Sequence, residues 1–338
     1  MGRPVVQVPT ENRLAQLREH LNKTLPRFIA LPGAEGITLN GGMSRGYADH
    51  LSEVDVTIYL TEDEYDRYQR GLTQLTAGIV IIDGQLYDIK LCSLSAELGA
   101  QWPDVARWDA SYAEILHDPQ GKVAALYAKH LAEAPQVGGA GGPLFECWWH
   151  YHLAGNIWIH RRDGLQAHLI LNRAIEPLVK SLFIANGEYV PHEKWLIHMS
   201  RTLAWRPEAW EERLGAALTI AAPTVETALE RQRVIKELWD EIDRYVVSKC
   251  CPKGYPLRLM HKGFYELLMW LVERGEVTLA EWTARARGAT LSAAPFNDCV
   301  TLDGDTVRLD RERLLALKQS DLDPWFYEVV AAVQSAAV

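Results

Sequence analysis

The stretch 40–56 constrains this chain more than any other part of it. A glycine-rich turn begins at Gly41-Gly42, and Val54–Leu60, rich in β-branched residues, follows after a short excursion. Glu53 and Asp55 are two positions apart at the start of that predicted strand, so both side chains project from the same face. Two adjacent carboxylates repel each other unless hydrogen bonds or a cation offset the repulsion. Because Mg²⁺ prefers oxygen ligands and is commonly held by one or two carboxylates with substrate phosphates, the pattern predicts a magnesium site.

The glycine turn carries groups suited to phosphates. Gly41 and Gly42 let the backbone approach an anion closely, and consecutive N–H groups can form an anion-binding nest. Ser44 adds a hydroxyl donor, and Arg45 can reach a phosphate. A Walker A loop requires Lys-Ser/Thr after its last glycine, and a dinucleotide fingerprint requires G-x-G-x-x-G at the start of a helix. The turn matches neither, so it predicts phosphate binding of another kind.

A third carboxylate is predicted on a neighbouring strand. Residues 78–82 and 85–91 have the pattern of two strands joined by Asp83-Gly84, a dipeptide typical of a tight hairpin turn. Alternation along the second strand places Leu86, Asp88 and Lys90 on one face and Tyr87, Ile89 and Leu91 on the other. Three carboxylates on adjacent strands can hold two metal ions, one for the attacking oxygen and one for the leaving phosphates.

Together these segments resemble the DNA polymerase β-like nucleotidyltransferase superfamily. Its shared pattern is a Gly-Gly or Gly-Ser turn, a spacer and a carboxylate–apolar–carboxylate strand, and the chain is similar to it at Gly41-Gly42, at Glu53-Val54-Asp55 and at Asp88. Segments 115–121 and 186–195 resemble the small-molecule branch, the aminoglycoside- and lincosamide-modifying enzymes, which append a helical domain. The resemblance covers roughly residues 10–205. Two positions depart from it, since Glu53 stands where Asp is usual and Asn40 where an apolar residue is preferred.

The resemblance implies transfer of a nucleoside monophosphate from a nucleoside triphosphate, ATP included. One or two Mg²⁺ ions would be held by Glu53, Asp55 and Asp88, and Asp88 is either a metal ligand or the base for an acceptor hydroxyl. A polar stripe that includes Lys180 is predicted to face the nucleotide, as is Lys194. Tyr189 is a further predicted nucleotide contact.

Composition indicates two domains. All twelve tryptophans lie from Trp102 onward, and residues 135–143 are the stretch richest in proline and glycine. We expect an α+β fold: a nucleotidyltransferase head with a small mixed sheet and helices at 1–136, and a mainly α-helical, substrate- and nucleotide-closing domain at 143–338. A small terminal subdomain is expected from about residue 262. Periodicity predicts helices at 11–29, 62–75, 144–161, 165–186, 193–203, 225–247 and 264–274, further helices up to 134, strands at 36–39 and Val54–Leu60, and a second hairpin at 300–309 turning at Asp303-Gly304.

Charge and cysteine content exclude several classes of protein. The 338 residues carry a formal net charge of −9, which argues against broad nucleic-acid binding. No uncharged run approaches the length of a membrane span, and no apolar signal region follows the N-terminus. The five cysteines are scattered without a C-x-x-C pair, which favours a reducing, cytoplasmic setting over a disulfide framework.

Three functions stay open at this point. The first is a transferase acting on a small-molecule hydroxyl, with the acceptor in a cleft between head and helical domain. The second is a toxin-like transferase that modifies tRNA or a protein. The third is an inactive homologue that binds a nucleotide as a sensor, an alternative that Glu53 keeps open.

Overall fold

The computed structural model describes residues 3–286 and 299–337 and separates into two compact units, Met1–Ile242 and Asp243–Val338. The predicted boundary at 136–143 lies inside the first unit and stays a prediction. In the described ranges, no helix has a segment both long enough and apolar enough to cross a bilayer.

The first unit has a mixed region of strands and helices up to β5 and only helices after it, in agreement with the predicted α+β class. In chain order its elements are α1 (Leu14–Ile29), β1 (Ala34–Leu39), α2 (Gly41–Ser44), β2 (Val54–Leu60), α3 (Glu62–Gln69), β3 (Gly78–Ile82), β4 (Gln85–Ser93), α4 (Leu94–Gly99), α5 (Asp104–Ala110), β5 (Glu114–His117), α6 (Lys122–His130), α7 (Gly141–Trp148), α8 (Gly155–His160), α9 (Gly164–Ala185), α10 (Glu193–Ser200), α11 (Trp210–Leu218) and α12 (Val225–Cys250), which continues into the second unit.

The strands form a mixed five-stranded sheet in the order β3-β4-β2-β1-β5. β2 and β4 are parallel, and the other neighbouring strands are antiparallel. The β2–β4 register sets Asp55 directly beside Asp88. The central position of β2 therefore places its polar residues among those of its neighbours.

The two faces of this sheet differ in chemistry. On one, here called the closed face, Val54, Val56 and Ile58 are fully buried in a core that includes residues of α1, and each contributes roughly 1.5–3 kcal/mol by burial. On the other, the open face, β2 presents Asp55 and Thr57. The period of two in an extended strand produces this separation directly from the sequence.

Most predicted elements are confirmed within a few residues, and β2 matches its predicted bounds. The helices predicted for most of the region up to residue 134 are confirmed as α4, α5 and α6, and this region also contains β5, which pairs with β1 at the edge of the sheet. The helix predicted at 62–75 ends at Gln69, because Gly71 has a positive φ of 69° that helices exclude.

One helix is interrupted in an unusual way. α7 and α8 are joined without a break by a π-helical turn, Trp149–Ala154. The Gly155 N–H donates to the carbonyl of His150, five residues back. The side-chain amide of Gln232 donates to the Tyr151 carbonyl at 2.6 Å. The carbonyl displaced from the α-helical ladder thus has a partner on α12.

The second unit contains a three-stranded antiparallel sheet in the order β6-β8-β7. Its elements are α13 (Lys262–Arg274), β6 (Glu276–Thr278), α14 (Leu279–Ala286), β7 (Val300–Asp303), β8 (Thr306–Leu309), α15 (Arg311–Ala316) and α16 (Pro324–Ala337). The second predicted hairpin is confirmed. Its turn lies one residue later than predicted, at Gly304-Asp305, because Asp303 pairs with Thr306.

Candidate functional site

A pocket of about 500 Å³ lies against the open face of the five-stranded sheet. Within the described part of the chain its ionisable lining is mostly acidic and its wall is aromatic. These lining residues are the carboxylates Asp55, Asp88, Glu97 and Asp109, the ammonium of Lys90, and the rings of Tyr59, Trp102 and Tyr127. The volume falls within the range of small-molecule sites.

Asp55 and Asp88 form the floor of this pocket as a like-charged pair. They are half-buried partners in the parallel register, so their side chains share the open face. The pKa of Asp55 is raised to about 7, chiefly by burial and in smaller part by the charges of Glu53, Asp109 and Asp88, while Arg45 opposes the rise. Negative charges therefore outweigh positive ones around the pair, and a bound cation would offset the excess.

Gly41 is fitted against Asp55. The N–H of the preceding residue, Asn40, donates to the Asp55 carbonyl at 2.9 Å, which ties the turn to β2. Gly41 has φ +66°, and a Cβ at that position would lie 1.7 Å from Oδ2 of Asp55. Glycine is therefore required at position 41 for two reasons, the left-handed backbone and the room that Asp55 needs. The turn and the carboxylate thus form one local structure.

The side chains of Ser44 and Arg45 both bond to other groups of the protein. The Ser44 hydroxyl donates to the Gly41 carbonyl at 3.0 Å. The Arg45 side chain is 4% exposed and donates to Asp109 at 2.6 Å. Its guanidinium lies over the rings of Trp108 and Trp195, at 4.6 and 5.6 Å from their centroids. Arg45 therefore links the turn to α5 and α10, and its contact with a phosphate stays a prediction.

Asp109 is a site residue that sequence reasoning missed. Besides Arg45 it accepts a hydrogen bond from Asn40 at 3.2 Å. Asn40 in turn accepts from Thr38 at 2.9 Å, and Tyr127 donates to Thr38 at 3.2 Å. The polar residue at position 40, which departs from the expected apolar pattern, thus has a defined role in this network. No pattern around Asp109 marks it in the sequence.

None of the seven predicted nucleotide contacts is among the residues that line this pocket: four belong to the adjoining turn at 41–45, and the other three lie elsewhere in the chain. Lys180 is paired with Glu176 at 2.7 Å and borders a different cavity, near the start of α10. The Tyr189 hydroxyl donates to the Glu133 carbonyl at 2.8 Å. Lys194 is exposed in the first turn of α10. Their roles in nucleotide binding stay predictions.

Glu53 lies just before β2, close enough to act on the charge of Asp55, but it is not among the residues that line the pocket. Across residues 3–286 and 299–337, no group of three or more His, Cys, Asp or Glu side chains is arranged to hold a metal ion. The oxygen donors of Asp55 and Asp88 nevertheless suit Mg²⁺, which is commonly held by one or two carboxylates plus phosphates. The close fit of Gly41 against Asp55 holds one of these donors in place.

Comparisons with known proteins find similarity among solved structures. No protein-family model and no curated protein matches the chain. Among solved structures it is similar to a nucleotidyltransferase-like protein from Exiguobacterium sibiricum, with a TM-score of 0.40 and 11% sequence identity, over 86% of this chain and 98% of the other. At that level the similarity carries no functional argument.

Proposed function

We propose that this chain is a nucleotidyltransferase that moves a nucleoside monophosphate from a nucleoside triphosphate to a hydroxyl of a small-molecule acceptor. One observation carries the proposal: Asp55 and Asp88 stand in register on parallel strands at the floor of one pocket, with Gly41 against Asp55. A glycine turn beside paired carboxylates combines phosphate-binding donors with cation-binding oxygens.

The proposed reaction is an in-line displacement. The acceptor oxygen attacks the α-phosphorus, a new P–O bond forms, and the bond from that phosphorus to the bridging oxygen of the β-phosphate breaks. Pyrophosphate leaves, and the hydroxyl proton passes to a base. Little covalent chemistry is required of the protein, so catalysis rests on positioning and on neutralising charge.

The chain's own residues divide this work. Asp55 and Asp88, with Glu53 in support, would hold Mg²⁺, which supplies positive charge to the phosphates. The N–H groups of Gly41 and Gly42 would donate to the β- and γ-phosphates. Asp88 is either a cation ligand or the base that takes the hydroxyl proton.

The acceptor is proposed to be small. The pocket volume of about 500 Å³ suits a small molecule. The four carboxylates on its lining disfavour a polyanionic acceptor such as tRNA, whose phosphates they repel. Trp102 is held in the pocket wall by a hydrogen bond from its indole to Glu97 at 2.7 Å and by stacking on His130, so it would give the acceptor a fixed apolar wall.

Calorimetric titration tests the proposal. Each nucleoside triphosphate is titrated with and without Mg²⁺ into the wild type, into Asp55→Asn and into Asp83→Asn. The matched control Asp83 is an exposed carboxylate of the same sheet, at the tip of the β3–β4 hairpin. We expect Mg²⁺-dependent binding that Asp55→Asn removes and Asp83→Asn retains. Absence of binding to every triphosphate, with acceptor candidates present, would contradict the proposal.

A second candidate is a nucleotide-binding protein without transfer activity. The position of Glu53 outside the pocket lining favours it, because one of the three expected carboxylates then does not face the bound substrate. Triphosphate binding that is equal in Mg²⁺ and in EDTA, with no pyrophosphate released for any acceptor, would support this candidate over the first.

A further inference from the structure

The helix formed by α7, the π-helical turn and α8 exposes a row of large apolar side chains. Phe145, Trp149, Leu153 and Ile157 recur every four residues and are 43%, 50%, 37% and 47% exposed. The rings of Phe145 and Trp149 lie 6.4 Å apart. We call these four residues the apolar stripe. Single exposed apolar residues are ordinary, but a continuous row with two large aromatic rings marks an interaction surface.

The π-helical turn keeps the stripe straight. In an α-helix four residues exceed one turn by about 40°, so a row with this spacing drifts around the helix. A π turn holds more residues, and four of them fall short of a full turn, which offsets the drift. Trp149 and Leu153 both lie within that turn. The irregularity thus aligns apolar residues that a regular helix would spread apart.

Charges at the two ends of the stripe have opposite signs. Glu146 lies at the first end and Arg161 just after the last, both exposed, and neither has an ion-pair partner among the described residues. The Arg161 guanidinium lies over the ring of Trp158 at 4.9 Å, beside the stripe. Two such helices in antiparallel arrangement bring each Glu146 to the basic end of the other, whereas parallel helices bring like charges together.

We infer that the apolar stripe is the interface of a symmetric dimer of this chain. About a two-fold axis at Leu153, Trp149 of one copy faces Ile157 of the other. Glu146 faces His160, next to Arg161. Each patch is then its own complement, as an isologous interface requires. The inference is independent of the proposed function, because no stripe residue lines the carboxylate pocket.

Sedimentation and light scattering on the full chain test the dimer. We expect a dimer at micromolar concentration for the wild type and a monomer for Leu153→Glu, with an unchanged circular dichroism spectrum. Ile81→Glu is the matched control, since Ile81 is an exposed apolar residue of the edge strand β3 at 74% exposure. A monomeric wild type, or a dimer that Leu153→Glu leaves intact, overturns the inference.

Charge reversal tests the antiparallel arrangement without altering the apolar residues. Glu146→Arg and Arg161→Glu should each weaken the dimer by about tenfold, because each creates like-charge contacts at both ends of the interface. The double variant should return the dissociation constant to within a few fold of the wild type. Additive weakening in the double variant would contradict the antiparallel arrangement.

Discussion

The five-stranded and the three-stranded sheets both place two charged residues directly opposite each other on neighbouring strands. In the second unit Glu276 faces Arg308, and Nε of Arg308 lies 3.1 Å from the Glu276 carboxylate. In the first unit Asp55 faces Asp88. The Glu276–Arg308 pair is exposed and of opposite charge, whereas the Asp55–Asp88 pair is half-buried and of like charge.

This difference separates a structural pair from the pair that we propose to be functional. Opposite charges across strands add a little stability, whereas like charges placed side by side reduce it. Burial increases the cost for Asp55, as the rise of its pKa to about 7 indicates. A sheet that retains such a pair loses stability, which is typical of functional sites.

The largest expected effect is on ligand binding at the like-charged pair. Asp88→Asn should weaken Mg²⁺-dependent triphosphate binding by more than ~100-fold, because losing even an indirect partner of a metal ligand costs about 10–100-fold. Glu53→Gln should cost less than about tenfold, since Glu53 does not line the pocket. Calorimetry measures both. Equal losses would show that Glu53 is a full member of the site.

The next effect concerns the glycine that contacts the pair. Gly41→Ala introduces left-handed strain and places Cβ 1.7 Å from Oδ2 of Asp55. Gly46→Ala shares the strain, at φ +83°, but meets no atom within 4 Å. Gly41→Ala should cost at least about 2 kcal/mol more than Gly46→Ala in the free energy of unfolding. Urea unfolding measures the difference, and equal costs would mean that the contact with Asp55 is easily relieved.

A smaller effect of opposite sign is expected from neutralising Asp55. With a pKa raised from 3.8 to about 7, the folded state favours the neutral carboxyl. The contribution of this group to stability is full below pH 3.8 and declines as the pH rises toward 7. Asp55→Asn removes that decline, which is at most about 4 kcal/mol at about 1.4 kcal/mol per pKa unit. Because the buried Asn amide keeps part of the desolvation cost, the variant without divalent cations should be about 2 kcal/mol more stable at pH 8. Thermal unfolding across pH measures this, and a destabilised variant at pH 8 would contradict it.

The smallest effect is expected at the exposed pair of the second unit. Glu276→Gln should reduce the free energy of unfolding by about 0.2–1 kcal/mol, and added salt should diminish the difference. The Glu276 carboxylate forms an ion pair with Arg308, and Arg308 forms a second ion pair with Asp303 at 3.4 Å. A loss well above this range would mean that this exposed ion pair contributes more to the stability of the sheet than exposed ion pairs usually do.

The sequence predicts those parts of the site that depend on local periodicity. The bounds of β2, the hairpin that carries Asp88 and the shared face of Asp88 and Lys90 all follow from alternation, and the structure has them. The short edge strand β5 has too few residues for alternation to appear, and its pairing with β1 comes from tertiary contacts.

Other parts of the site depend on contacts between distant segments. Asp109 joins the pocket through hydrogen bonds to residues 64 and 69 positions earlier, and no spacing rule relates them. Arg45 follows a phosphate-like turn, so its sequence context suggests an anion. Its burial between Trp108 and Trp195 is a property of the packed fold.

The π-helical turn lets the chain change length by one residue at one place. Deleting a single residue between Trp149 and Ala154 would restore the α-helical ladder, and the later residues of α8 would keep nearly the same face, because six residues of π-helix and five of α-helix turn through similar angles. The cost would be local, since the Tyr151 carbonyl would return to the ladder and no longer need the side-chain amide of Gln232. The same deletion within the regular helix α9 would rotate every later residue of that helix by about 100°.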